Sequence, residues 1–117
     1  MKPWIFTALF VVCIATSCSH GRLEMNYHSA DISTLPDEHV VLAGFAARHG
    51  LSDGIHQNLR THCLVIKDDA GQKVCIISND LMEISPAITD TLRTMISERS
   101  GIARENILIH NIHTHSA

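Results

Sequence analysis

The chain has few aromatic residues, few basic residues and no long apolar run. Among 117 residues the only aromatics are Trp4, Phe6, Phe10, Tyr27 and Phe45. Nine basic residues face 12 acidic ones, a net charge of −3 with histidine neutral. No basic patch stands out, which argues against a nucleic-acid partner. The main apolar stretch, Ile5 to Ala15, falls short of the roughly 20 residues that a membrane-spanning helix needs. No G-x-S-x-G, P-loop or G-x-G-x-x-G is present, so the chemistries those motifs carry have no foothold.

The first residues read as an export signal. Lys2 is a minimal positive region and Ile5 to Ala15 is its apolar core, giving a signal peptide over residues 1–17. Ala15-Thr16-Ser17-Cys18 has the small residues before cysteine of a loose bacterial lipobox, so Cys18 is the expected lipidation site. The alternative is an ordinary secretory signal with a chance cysteine. Processing would leave residues 18–117, anchored to the bacterial cell envelope by lipid or else periplasmic or secreted. It would remove Lys2 and no acidic residue, taking the net charge from −3 to −4. It would also remove three of the five aromatics, so the core must rest on Ile, Leu, Val and Met. Of the four cysteines, Cys63 and Cys75 then remain as a possible pair. An oxidising compartment permits a bridge, but strand register decides whether they share a face, so disulfide and buried free thiols both stand.

Residues 18–26 read as a polar tether and residues 27–117 as the fold. Tyr27 to Ile32 alternates weakly, as a first strand would. Ser33 to Asp37 is a turn around Pro36. Residues 49–58 are loop-like. Arg60 to Lys67 and Lys73 to Ser78 form a hairpin about Asp68-Asp69-Ala70-Gly71. Ser85-Pro86 marks a helix start. Ile88, Leu92, Met95 and Ile96 share one helical face, and Gly101 suits the C-terminal cap. Asn106 to Ile112 is a strand. Strand, helix, strand suggests a crossover that sets Asn106–Ile112 parallel to Lys73–Ser78. The fold class is therefore α/β, a mixed sheet with one crossover helix.

Parallel units carry functional residues at the carboxyl ends of their strands. Asn79 and Asp80 end one strand, and His113-Thr114-His115-Ser116 follows the other. In an extended chain His113 and His115 point the same way and His110 points oppositely. Two imidazoles on one edge suit a shared metal ion, and Asp80 is placed to hold a histidine tautomer or contact substrate. The alternative is a pair of surface histidines at a frayed end. His28, His39, His49 and His62 have no constellation around them and read as structural or exposed, His20 as solvated. His56 stays open.

Several segments, in order, carry a family likeness. Ala30-Asp31-Ile32-Ser33 before Pro36, Ala43-Gly44-Phe45-Ala46-Ala47-Arg48, Gly54-Ile55-His56 and Ser78-Asn79-Asp80-Leu81-Met82 lead to His113-Thr114-His115-Ser116. Over residues 30–116 the sequence resembles the N-terminal part of the neutral/alkaline ceramidase catalytic domain. Ala117 stands where that family's signature has Gly, and Ile112 where a small or polar residue is common. The resemblance implies zinc-dependent hydrolysis of the N-acyl amide of ceramide or a related lipid amide. It makes His113 the first zinc ligand and His115 a catalytic neighbour contacting substrate or zinc-bound water. It makes Asp80 a further catalytic candidate and places Gly44 and His56 at the substrate. The family's remaining ligands, a His, a Glu and a Tyr, have no counterpart here. The expectation is the N-terminal fragment of a larger, membrane-anchored hydrolase, inactive alone and of unspecified oligomeric state. The rivals are a surface lipoprotein binding module that keeps the scaffold, and a metal-carrying protein.

Overall fold

The computed structural model describes residues 21–35, 37–44 and 47–116. The signal peptide over 1–17 and the Cys18 lipidation site lie outside the described residues.

The hairpin follows the expected lines. Strands β2 (Arg60–Lys67) and β3 (Lys73–Asn79) pair antiparallel, with Lys67 opposite Lys73 and Thr61 opposite Asn79. The turn closes through Gly71 N–H to the Asp68 carbonyl (3.1 Å) and Gln72 N–H to the Asp68 carboxylate (2.7 Å). Gly71 has φ +84°, a conformation that costs glycine no steric clash. Strand β1 (Glu24–Asp31) lies antiparallel on the far side of β2. It begins at Glu24, not Tyr27, so the tether expected over 18–26 gives way to a strand within its last residues. All but Ser29 of β1 is exposed, so neither face needs an apolar pattern to mark the element.

Helix α1 (Pro86–Ser100) is bounded by the residues read from the sequence. The Ser85 hydroxyl accepts from Ile88 N–H (3.3 Å), and Gly101 at φ +69° donates its N–H to the Ser97 carbonyl (2.9 Å). A short 3-10 turn, Arg104–Asn106, delays the last strand to β4 (Ile107–Asn111), shorter than the expected Asn106–Ile112. β4 runs parallel to β3, with Cys75 beside Ile107 and Asn79 beside Asn111, as the crossover required. The sheet order is β1-β2-β3-β4, a mixed four-stranded sheet with one crossover helix. Among the described residues no helix is long and apolar enough to cross a membrane.

Register decides what the two sheet faces do. On one face Cys75, Ile102 and Ile107 are buried, with Cys63, Val65, Ile77, Ile96 and Ile109 packed around them. On the other face Tyr27, Leu64, Ile76 and Leu108 form one cross-strand row. Met25, Ile66 and Val74 form the next. Tyr27 and Leu108 in that first row are 64% and 54% exposed. The helix is likewise only half used: Leu92 and Ile96 are half-buried, while Ile88 and Met95 of the same stripe are exposed.

Register also answers the cysteine question. Cys63 stands opposite Ile77 and Cys75 opposite Val65, so both thiols share the buried face as a diagonal pair. Their sulfurs are 3.6 Å apart and both are free. Burial first, then the neighbouring Cys63 thiol, pushes Cys75 up to about 11. Because the thiolate is the nucleophile, folded chain at pH 8 should leave Cys75 unlabelled by iodoacetamide, and urea should release it. Peptide mapping checks this; equal labelling with and without urea would contradict the packing.

Candidate functional site

The carboxyl ends of β3 and β4 are locked together by a buried polar side chain. Asn79 is 6% exposed. Its amide donates to the His110 carbonyl (3.3 Å) and to Asn111 Oδ1 (3.2 Å), and its carbonyl oxygen accepts from the Thr61 hydroxyl (2.7 Å). A buried amide must find such partners or lose the free energy of its hydration. Here they join three strands just below the site. Past the strands the pairing continues: Ile112 N–H reaches the Asn79 carbonyl and His113 N–H the Leu81 carbonyl, each at 3.1 Å. Residues 79–82 and 111–113 therefore lie side by side, as the crossover implied.

His113 and His115 come together, though not by strand alternation. β4 has already ended at Asn111, and His113 sits in the left-handed region at φ +61°. The bend brings the two rings to 5.1 Å between centroids, edge to face at 67°. His113 Nδ1 lies 3.1 Å from the Met82 carbonyl. A carbonyl only accepts, so Nδ1 carries the proton and the neutral ring keeps its lone pair on Nε2. That is the arrangement of a metal-binding histidine held by its other nitrogen. The tautomer is set by the Met82 backbone rather than by Asp80. The Asp80 carboxylate instead accepts Arg60 N–H (3.0 Å), while its own N–H donates to the Arg60 carbonyl (2.9 Å).

A loop from the N-terminal half covers His115. Its base is tied by Ser52 N–H to the Val40 carbonyl (2.8 Å), Val40 N–H to the Ser52 hydroxyl (3.1 Å), and His39 Nδ1 to the Ser52 carbonyl (2.7 Å). From it Arg48 Nη1 donates to the His115 carbonyl (2.9 Å). Gly44 meets the ring itself: a Cβ at that position would lie within 2.8 Å of three His115 ring atoms. Gly44, read from the sequence as substrate-binding, is thus a close neighbour of His115.

The other residues singled out from the sequence gather in a groove of about 640 Å³. Its walls include Val40, Leu42, Ile55, His56, Asp80 and Ile112, and Thr114 and Ser116 also line it, whereas His113 and His115 do not. One short segment thus serves the groove with alternate residues and the imidazole pair with the others. Ser33 and Asn58 in the wall both bond to Asp31. The Ser33 hydroxyl and N–H, then Asn58, hold the Asp31 carboxyl below the usual range. Among the described residues no group of three or more His, Cys, Asp and Glu is gathered around one point. Of the pair, His113, with Nδ1 on the Met82 carbonyl, leaves Nε2 as a nitrogen donor of the type zinc takes.

Sequence reasoning missed Asn79 as the strand lock, the Met82 carbonyl as the histidine's partner, and Arg48. Asn at the end of an apolar strand is a signal for the first. The other two are long-range contacts with no local signature.

No protein-family model matches the chain. A neutral ceramidase of Oryza sativa subsp. japonica is 25% identical over 115 residues, which is 97% of this chain and 14% of that protein. The chain is thus similar to a fragment of a neutral ceramidase. Among solved structures, a neutral ceramidase from Pseudomonas aeruginosa superposes with a TM-score of 0.69 at 23% identity. A ceramidase complexed with C2 superposes with a TM-score of 0.71 at 23% identity. Each match covers 81% of this chain and 15% of the ceramidase chain. The chain thus spans about one-seventh of the length of the ceramidases it resembles, and the mixed sheet is a part of their larger fold.

Proposed function

We propose that this chain contributes the first zinc ligand and one wall of the substrate groove to a longer amidohydrolase, one that cleaves the N-acyl amide of ceramide or a related lipid amide. The observation that carries this is His113, whose Nδ1 is committed to the Met82 carbonyl at 3.1 Å so that Nε2 is free to ligate. The ring stands beside His115 at the carboxyl ends of two parallel strands, where such folds place their chemistry. When bound, zinc would polarise the amide carbonyl and bring a water's pKa towards neutrality.

The chain's own residues do the rest of the local work. His113 would hold the metal through Nε2, and His115 lies beside the His113 ring, where it can orient substrate or exchange a proton. Val40, Leu42, Ile55 and Ile112 offer apolar surface to an alkyl chain. His56, Asp80, Thr114 and Ser116 line the same groove and offer polar groups to a headgroup. We read the N-terminal residues as a lipoprotein signal, with Cys18 acylated, which would hold the site near a bacterial membrane and its lipids.

Zinc added to the isotope-labelled chain should shift the His113 and His115 ring resonances together, and His113→Ala should abolish the response. Unchanged zinc stoichiometry in His113→Ala would remove His113 from the ligand set. Reading the gene past Ala117 is the companion test. A continuation supplying the missing His, Glu and Tyr supports the hydrolase, and an early stop favours a non-catalytic lipoprotein binding module or a degraded gene.

A further inference from the structure

We propose that Arg48 is a positioning residue, holding the backbone of His115 and thereby the orientation of the paired imidazoles. It rests on the reading of His115 as a site residue, but it concerns the metal-free chain.

The segment carrying His115 has left the sheet. The last β4 residue is Asn111, and the pairing that continues beyond it reaches His113 N–H. A segment released from a ladder samples many conformations unless something outside the sheet ties it down. Arg48 Nη1 supplies such a tie at 2.9 Å to the His115 carbonyl, from 67 residues away in sequence. A guanidinium donor makes a stronger bond than a neutral one, and half-burial shields it from competing water.

The loop is built to transmit this constraint. Three hydrogen bonds among His39, Val40 and Ser52 close its base, so Arg48 reaches out from a fixed support. Gly44 of the same loop lies flat against the His115 ring, leaving no room for a side chain between them. Backbone and ring are therefore gripped by one loop at two points. The ring in turn meets His113 edge to face. The loop lies outside the crossover unit, so its contribution is to position and not to fold the strands.

The test is nuclear magnetic resonance of the labelled chain without metal. Arg48→Met keeps the aliphatic stem and removes the donors; Arg48→Lys restores a charged donor. Arg48→Met should lose the inter-ring cross-peak between His113 and His115, with the β2–β3 and α1 resonances unmoved. Arg48→Lys should retain the cross-peak. An undiminished cross-peak in Arg48→Met overturns the proposal. Loss of the hairpin and helix resonances overturns it too, because Arg48 would then support the fold and not the pair. Zinc separates this from the functional reading. If zinc moves neither ring of the unaltered chain while Arg48→Met still loses the cross-peak, the positioning role stands and the zinc assignment falls.

Discussion

Ile107→Ala should cost the fold about 2–5 kcal/mol, the range for truncating a buried isoleucine. Ile107 is 2% exposed, sits beside Cys75 in the parallel ladder, and joins Ile102 in the small set of buried apolar residues. Among the described residues few apolar side chains are fully covered, so the loss falls on a small core. A domain's whole stability is only about 5–15 kcal/mol, so this one truncation removes a large share of it. Ile107→Val, which deletes a single methylene, should cost about 0.5–1.5 kcal/mol. Urea denaturation followed by far-ultraviolet dichroism reads both. An Ile107→Ala midpoint equal to that of the unaltered chain would mean that the core lies elsewhere.

Gly44→Ala should dislodge His115 while leaving the sheet intact. Two effects combine at this position. Gly44 has φ +106°, where a residue with a side chain is strained by about 1–3 kcal/mol. The new methyl would also collide with the His115 ring, which is an aromatic body and not a flexible tip. Gly50 separates the two effects, having φ +100° with nothing within 4 Å of its own Cβ position. Gly50→Ala therefore carries the backbone strain without the collision. Ring resonances of His115 should move strongly in Gly44→Ala and little in Gly50→Ala. Equal responses would show that strain alone governs the loop and that the ring does not rest on Gly44.

Elements with local chemistry could be read from the chain; those that depend on distant contacts could not. Helix α1 was legible because Ser85, Pro86 and Gly101 each act within a turn of the helix end. The hairpin was legible because Gly71 and the Asp68 side chain close the turn by themselves. The parallel pairing of β3 and β4 followed from the handed crossover between them. The start of β1 was not legible, because Glu24, Met25 and Asn26 are exposed and are recruited only by pairing with Val65, Ile66 and Lys67. Nor was the break in β4: Ile112 continues the apolar pattern, yet it is 55% exposed and the next residue turns left-handed. At the site, the neighbourhood of His113 and His115 was foreseen on the wrong geometry. The roles of Met82 and Arg48 had no signal, because a backbone carbonyl carries no residue preference and Arg48 acts across 67 residues.

The face of the sheet that the described residues leave uncovered has a practical consequence. Water wets both ends of the row that runs from Tyr27 through Leu64 and Ile76 to Leu108, although aliphatic side chains in such an array suit a dry interior. Molecules with bare sheets of this kind are colloidally sticky, since two of them gain by shedding hydration when they meet face to face. Concentration will therefore limit how this polypeptide, taken by itself, can be kept in solution.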